Sequence, residues 1–267
     1  MEVHLSSSSL AFVTWSSSST SRRRVRQDAC NVSRRRILGC VLSAGLGLRI
    51  DTVKNRPLLA AEYDRYAAEY DALEESVFAD GFGLKDLREF VTKRADGEVL
   101  ELAVGTGLNI GYYDASRVES FMGVDISEEM LKIASARGSS LGTKASFQIE
   151  DASRLSFKSS SFDTIVDTYS FCTFYDPQAV ITELRRVCKP TGKLVLVEHV
   201  RSDNRILGVY QNVTNAAVKT MSKGCAWNQN IPQLLENEGF QISFQKRFLA
   251  GTVIAVVARP RLDTQST

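Results

Sequence analysis

A short apolar strand followed at once by a glycine-rich turn constrains this chain more than any other feature. Residues Val99 to Ala103 predict a buried strand, and Gly105 and Gly107 follow it. Glycine lets the backbone turn tightly and leaves room for a ligand to lie against it. A second apolar run ends at Asp125, 18 residues after Gly107, where an acid can hold the ribose hydroxyls of a bound nucleotide. The pattern predicts a nucleotide site at the ends of two strands.

Glu101 separates this pattern from that of a dinucleotide dehydrogenase. In a dehydrogenase the first strand is usually apolar, and a regular Gly-x-Gly-x-x-Gly series follows it. Here Glu101 interrupts the strand, and Gly111 stands one place too late to complete the series. A nicotinamide oxidoreductase is therefore only a rival hypothesis, and it would need glycine at Ala103.

The charge of the chain is divided unevenly along its length. Residues 1–60 carry 10 basic and 3 acidic side chains, whereas the remainder carries 23 and 28. The acidic body disfavours nucleic acid as a partner. Five cysteines show no Cys-x-x-Cys spacing, and His4 and His199 are the only histidines. We therefore expect a reducing compartment and no metal site.

The first sixty residues are typical of a targeting segment. Residues 1–36 contain ten serines, seven arginines and two acids, which predicts a disordered transit peptide, with a plain disordered tail as the alternative. Residues 37–60 include a 12-residue apolar run after three arginines. That run is shorter than the roughly 20 residues of a membrane-spanning helix, so we interpret it as a second signal or an anchor. The expected destination is the chloroplast, with thylakoid association left open, and the mitochondrion is the alternative.

The rest of the chain, residues 61–267, predicts an N-terminal helical cover, residues 61–95, followed by a core of residues 96–267 with a lid helix at 203–223. Strands alternate with helices, which predicts an α/β fold: a doubly wound, mostly parallel sheet of seven strands with an antiparallel final strand. The predicted lid helix carries an apolar stripe: Ile206, Val209, Tyr210, Val213, Ala217 and Met221. The stripe suggests an apolar acceptor pocket beneath the helix, and ordinary core or contact with a membrane surface are the alternatives.

Five segments in this order resemble the class I methyltransferases that use S-adenosylmethionine. The segments are Val99–Asn109, Gly123–Ser127, Glu150–Ala152, Phe162–Tyr169 and Arg186–Lys193. They are most similar to the branch that contains ubiquinone/menaquinone-biosynthesis methyltransferases and methyltransferase-like thiol methyltransferases. The resemblance covers about residues 62–259 and has two departures, Ala103 for the usual first glycine of the turn and Thr191 for a glycine before strand five.

The resemblance implies S-adenosylmethionine as the cofactor and a set of residues around it. Tyr63–Asp71 resembles a lead helix that lies over the cofactor in that branch, and Glu101 stands for a carboxylate near the methionyl end. The implied cofactor contacts are Tyr63, Tyr70, Glu101, Ala103, Gly105, Gly107, Asp125, Ile126, Asp151 and Ala152.

The catalytic candidates are His199 and Tyr169. His199, the only histidine of the body, stands at the carboxyl end of predicted strand five and has a side chain suited to act as a general base near neutral pH. A histidine that merely completes hydrogen bonds is the alternative. Tyr169 begins an aromatic run after strand four, whereas Cys172 and Cys225 are expected to be small buried residues.

The resemblance implies methyl transfer to a small lipophilic acceptor, with a quinone-type ring or a thiol as the leading choices. A catalytically silent assembly factor or scaffold with the same fold is the alternative.

Overall fold

The structure, a computed structural model, describes residues 56–72, 84–222 and 224–262, all within one unit of the chain that runs from Asp51 to Thr267. The predicted transit peptide, residues 1–36, and most of the segment 37–60 therefore lie outside the described residues. Among the residues that the structure describes, no helix has the length and apolar character needed to cross a membrane.

A single sheet of seven strands forms the centre of the described part of the chain. The strands are β1 Gly97–Leu102, β2 Val118–Asp125, β3 Ala145–Ile149, β4 Phe162–Thr168, β5 Cys188–His199, β6 Phe240–Phe248 and β7 Val253–Pro260. Their order across the sheet is β3-β2-β1-β4-β5-β7-β6. Strands β1 to β5 pair in parallel, and β7 runs antiparallel to both β5 and β6. The predicted fold class is confirmed.

Helices cover the sheet on both sides. They are α1 Arg56–Tyr66, α2 Leu84–Thr92, α3 Glu128–Gly138, α4 Pro177–Val187, α5 Arg205–Met221 and α6 Ile231–Asn237. Side chains alternate along each strand, so Leu194 and Leu196 of β5 join the core beneath α4 and α6, whereas Val195 and Val197 join the core beneath α2 and α3. With both faces covered, the carboxyl ends of the central strands form the ligand edge of the sheet.

Helix α3 begins with an N-cap at Ser127. The Ser127 hydroxyl accepts a hydrogen bond from Met130 N at 3.2 Å, and Glu128 and Glu129 follow in the first turn. The hydroxyl satisfies an amide that has no partner within the helix, and the two carboxylates favour the positive end of its dipole. Helix α3 therefore begins three residues after Asp125, close to the end of β2.

Strand β5 starts earlier than its apolar run, because it contains a bulge. Phe162 pairs with Cys188, whereas Thr164 pairs with Lys193, so residues 189–192 lie outside the ladder. Pro190 in this segment has no amide hydrogen to offer a neighbouring strand. Residues 189–192 thus form a bulge within strand β5.

The apolar stripe of α5 lies on the surface. Ile206, Val213 and Met221 have relative exposures of 85%, 77% and 86%. The structure therefore places the stripe neither in the core nor over a pocket, and both of those interpretations are wrong.

Candidate active site

A cavity at the carboxyl ends of β1, β2 and β4 has a volume of about 420 Å³. Pockets for small molecules in proteins span about 300–1,000 Å³. Eight of the ten residues proposed as cofactor contacts line it: Tyr63, Tyr70, Ala103, Gly105, Asp125, Ile126, Asp151 and Ala152. The other two, Glu101 and Gly107, lie behind its wall. Residues that are up to 89 positions apart in the chain, from Tyr63 to Ala152, therefore meet at one site.

Asp125 joins the glycine turn to the end of β2. Its Oδ2 accepts a hydrogen bond from Gly105 N at 3.0 Å, and its Oδ1 accepts one from Ser127 N at 2.9 Å. Burial raises the pKa of Asp125, although the two backbone donors oppose that rise. Each carboxylate oxygen keeps a further lone pair, so Asp125 can also accept hydrogen bonds from the hydroxyls of a ligand.

The two glycines of the turn have different surroundings. A β-carbon at Gly105, where φ is +55°, would find no heavy atom beyond its chain neighbours closer than Ala103 O at 4.0 Å. A β-carbon at Gly107, where φ is +82°, would lie 2.6 Å from Ile110 Cδ1 and 3.1 Å from Ala134 Cα. Gly105 therefore presents bare backbone to the cavity, and Gly107 allows the turn to pack on α3.

Glu101 borders a second cavity, of about 30 Å³, that shares Tyr70 and Gly105 with the main one. The Glu101 side chain is 2% exposed and accepts hydrogen bonds from Asn109 Nδ2 at 2.9 Å and from the Tyr113 hydroxyl at 2.7 Å. Burial raises the pKa of Glu101 to about 7, although these donors partly offset it. Sequence reasoning missed both donors, which follow Glu101 by 8 and 12 positions.

In the segment Tyr63–Asp71, the two tyrosines and the two aspartates have different roles. Tyr63 and Tyr70 line the cavity, and burial raises the pKa of Tyr63 to about 12. Asp64 accepts a hydrogen bond from the Ser127 hydroxyl at 2.6 Å, and Asp71 accepts one from the Thr106 hydroxyl at 2.6 Å. Asp71 also forms an ion pair with Arg137 of α3. The aspartates thus fasten the segment beside the turn, a role that the sequence did not indicate.

Aromatic side chains form the other part of the cavity wall. Tyr169, Phe174 and Tyr175 line it, whereas Phe171 from the same run is fully buried in the core. Tyr169 has a φ of +57°, in the left-handed region that a bulky side chain rarely adopts. Strained backbone of this kind clusters at functional sites. From α5 only Lys219 reaches the cavity, so the apolar stripe takes no part in its lining.

His199 lies behind Tyr169 and does not line the cavity. The two rings have centroids 5.0 Å apart. His199 Nδ1 lies 3.8 Å from Cys172 Sγ and 3.7 Å from Cys225 Sγ. Both cysteines are buried, as predicted, but their grouping around the histidine was not predicted. A hydrogen bond from Cys172, and after it the neighbouring His199, holds the pKa of Cys225 below its usual range.

Two buried acids, Asp167 and Glu198, lie beneath Ser170 at this edge. Ser170 N donates to Glu198 Oε1 at 2.7 Å, and the Ser170 hydroxyl donates to Asp167. Burial, and then the adjacent Asp167, raises the pKa of Glu198. Asp167 Oδ2 and Glu198 Oε2 are buried and have no hydrogen-bond partner among the described residues. The pair fixes Ser170, which lines the cavity, and sequence reasoning missed it.

The ionisable lining of the cavity is predominantly acidic. Its side chains include five carboxylates and one lysine: Glu62, Asp125, Glu150, Asp151, Asp176 and Lys219. Such a wall attracts a ligand that carries positive charge.

Comparison with known proteins identifies the domain around this cavity. Residues 100–196 match the family described as "Methyltransferase domain". The mitochondrial methyltransferase OMS1 of Saccharomyces cerevisiae is 28% identical over 227 residues, which cover 76% of this chain and 46% of that protein. The demethylmenaquinone methyltransferase of Thermotoga maritima is 28% identical over 214 residues, which cover 70% of this chain and 90% of that one. The chain spans about half the length of the first curated relatives it matches.

A solved structure supports the fold assignment. The [4+2]-cyclase SpnF superposes with a TM-score of 0.61 at 17% identity, over 76% of this chain and 95% of that one. The strand order, the turn and the matched domain together define the class I methyltransferase fold. Residues 100–196 therefore form a methyltransferase domain, and proteins described as methyltransferases match 70–76% of the chain.

The residues present fit the cofactor of that class. S-adenosylmethionine is a cation, and the acidic lining offers the opposite charge. The bare backbone of Gly105 leaves space against which a ligand can lie. Asp125 stands at the end of β2 with acceptor capacity for hydroxyl groups.

Proposed function

We propose that this protein transfers the methyl group of S-adenosylmethionine to a small lipophilic acceptor. The observation that carries the proposal is one continuous cavity of about 420 Å³ that joins the glycine turn to an aromatic wall. The bound cofactor supplies an electrophilic methyl group. The chain then accelerates transfer chiefly by holding donor and acceptor in line in a site from which water is excluded.

Each side of the cavity has its own task in this proposal. Gly105 and Asp125 place the ribose, Asp151 and Ala152 border the adenine, and Tyr63 and Tyr70 cover the cofactor. Glu101 and Gly107 act from behind the wall: the carboxylate attracts the positively charged methionyl amine, and the glycine keeps the turn on α3.

On the acceptor side, Tyr169 borders the cavity and contacts the acceptor directly. His199, whose ring lies against Tyr169, acts through that ring as a positioning residue. A quinone-type ring fits the wall of Tyr169, Phe174 and Tyr175, because flat aromatic surfaces pack well on one another. A thiol is the second acceptor class.

The exposed face of α5 supports contact with a membrane surface, from which a lipophilic acceptor could enter. The helix carries Arg205 and Lys219 and no acid, and its stripe exposes Ile206 and Val213. Basic helices with an apolar face bind anionic bilayers. Lys219 also lines the cavity, so the proposed contact adjoins the site.

A sedimentation assay with vesicles containing phosphatidylglycerol tests this contact. The double variant Ile206→Ser/Val213→Ser should lose binding, and Ile149→Ser, which removes a 55% exposed side chain from the edge strand β3, should retain it. Equal binding by all three proteins would contradict the proposed contact.

The amino-terminal composition supports import into an organelle. The chloroplast is the first destination that we propose, and the mitochondrion is the second. Fluorescent fusions of residues 1–60 and of residues 61–267 test the destination in cells. Only the fusion of residues 1–60 should be imported into the organelle.

Binding of S-adenosylhomocysteine to the full chain, measured by calorimetry, tests the catalytic proposal. We expect micromolar affinity that is lost in Asp125→Ala, followed by methyl transfer to quinols or thiols in a second assay. A folded protein that does not bind S-adenosylhomocysteine would contradict the proposal. Binding without turnover on any acceptor would instead favour a silent scaffold, and the likeness to SpnF shows that this fold also occurs in a protein described as a cyclase.

A further inference from the structure

Three soft donor atoms meet beside the cavity although their residues are far apart in the chain. Cys172 follows β4, His199 ends β5, and Cys225 follows α5. His199 Nδ1 lies 3.8 Å and 3.7 Å from the two sulfur atoms, and all three donor atoms lie within 4.8 Å of one another. We propose that Cys172, His199 and Cys225 bind a thiophilic metal ion, Zn²⁺ by preference.

The spacing of the donors matches a tetrahedral site. With metal–sulfur bonds of about 2.3 Å and metal–nitrogen bonds of about 2.0–2.1 Å, neighbouring sulfur and nitrogen ligands lie about 3.6 Å apart and two sulfurs about 3.8 Å apart. The two sulfur–nitrogen distances are within about 0.2 Å of that value. The sulfur atoms need to approach each other by no more than about 1 Å.

The backbone already holds the two cysteines together. Ala226 N donates a hydrogen bond to Cys172 O at 2.6 Å, and Cys225 N donates one to Ser222 O at 3.0 Å. In addition, Gln229 Nε2 donates to Phe171 O at 3.1 Å. The residues on both sides of the donor set are therefore tied before any ion arrives, so little chain entropy remains to be lost on binding.

The donor types select the ion. Two thiolates and one imidazole suit Zn²⁺ and other soft ions, whereas Mg²⁺ and Ca²⁺ prefer oxygen ligands. Three protein ligands leave the fourth position of a tetrahedral ion to water or to another small ligand.

The position of the donor set gives the ion a role near the acceptor side of the cavity. Thr173 and Gly224, the neighbours of the two cysteines in the chain, both line the cavity. An ion bound to all three donors would lock the segment after β4 to the segment after α5. The ion would thereby order the aromatic wall, whatever acceptor the cavity takes.

Cobalt substitution of the full chain tests the site. The protein would carry Cys30→Ser and Cys40→Ser, which remove the two cysteines outside the described residues, and would be reduced and freed of metal before titration. We expect one Co²⁺ per chain, with thiolate-to-cobalt charge-transfer bands and the strong visible bands of a tetrahedral site. Added Zn²⁺ should displace the cobalt and raise the melting temperature.

Variants of the donors decide between a built site and general thiol binding. Cys225→Ser and His199→Ala should lose the tetrahedral bands, whereas Cys188→Ser, which changes a buried cysteine outside the cluster, should keep them. Circular dichroism verifies that each variant is folded, and Cys225→Ala provides a second change at that position.

Absence of bands in the folded parent protein would overturn the proposal. Equal bands in the parent, Cys225→Ser and His199→Ala would overturn it as well. Because metal content and spectra are measured without S-adenosylmethionine or an acceptor, failure here is distinguishable from failure of the proposed methyl transfer.

Discussion

Replacement of Gly107 by alanine should destabilise the fold, because the added methyl group would overlap with neighbouring atoms. The new β-carbon would lie 2.6 Å from Ile110 Cδ1 and 3.1 Å from Ala134 Cα, on a backbone with a φ of +82°. Left-handed backbone costs a non-glycine residue about 1–2 kcal/mol, and overpacking costs about 1–3 kcal/mol. Alanine also restricts the unfolded chain more than glycine does, which increases the free energy of unfolding by about 0.4–1 kcal/mol. We expect a net loss of about 2–4 kcal/mol in the free energy of unfolding.

Gly105→Ala is the matched control, because it makes the same chemical change two residues away. Its β-carbon would meet no heavy atom closer than 4.0 Å, so only the left-handed backbone at φ +55° is penalised, by about 1 kcal/mol. The added methyl group would stand in the cavity wall against which the cofactor lies. We expect a loss of at least about tenfold in affinity for S-adenosylhomocysteine, which corresponds to about 1.4 kcal/mol.

Thermal unfolding and calorimetric titration of the two variants separate these effects. For a domain of about 200 residues, each kcal/mol shifts the melting temperature by about 2–4 °C. Gly107→Ala should therefore melt roughly 5–15 °C below the wild type, and Gly105→Ala no more than about 4 °C below it. A melting temperature for Gly107→Ala within about 2 °C of the wild type, or equal shifts in both variants, would refute the reasoning.

Three further changes test separate features of the site. Ala103 has a φ of +45°, a left-handed conformation that strains a non-glycine backbone. Ala103→Gly removes this strain and should raise the free energy of unfolding, measured by urea denaturation, by up to about 1 kcal/mol. A lower free energy of unfolding would contradict this explanation. The pKa of Glu101 rises from its usual 4.5 to about 7 on folding, so its contribution to stability is complete below pH 4.5 and is lost as pH rises through 7. Compared with Glu101→Gln, the wild type should lose about 3 kcal/mol from pH 4.5 to 8 in the absence of cofactor, and parallel urea-unfolding curves would contradict this. Asp71→Ala should weaken binding of S-adenosylhomocysteine in calorimetry, and unchanged affinity would argue against the anchoring role of Asp71. The same variant should lower the free energy of unfolding by no more than about 1 kcal/mol, because a partly exposed ion pair such as that of Asp71 with Arg137 contributes little to folding.

The parts of the fold that depend on near neighbours in the chain were predictable. The cap at Ser127 and the end of α3 at Gly138 follow from side chains within a few positions of those ends. Strand β3 has apolar residues at alternate positions, Ala145, Phe147 and Ile149, which is a local signal for a strand. Gly105 and Gly107 adopt the positive φ that the predicted turn requires.

The stripe on α5 shows where such reasoning fails. Its spacing correctly predicted a helix and an apolar face, but a helical period does not say what that face contacts. In the structure Ile206 is 85% exposed, and Lys219 from the same helix reaches the cavity instead. Burial depends on the neighbours that the fold supplies, and those neighbours are distant in the chain.

By itself, the sequence determined the alternation of strands and helices, the glycine turn and the acid at Asp125, because these depend on local backbone preference and on spacing within one strand–helix unit. Only the tertiary structure decided that Cys172, His199 and Cys225 meet, and that Asp167 and Glu198 both bind Ser170. The physical reason is the sheet order: β4 and β5 run side by side in parallel, so residues at their carboxyl ends become neighbours although 27 positions separate Cys172 from His199.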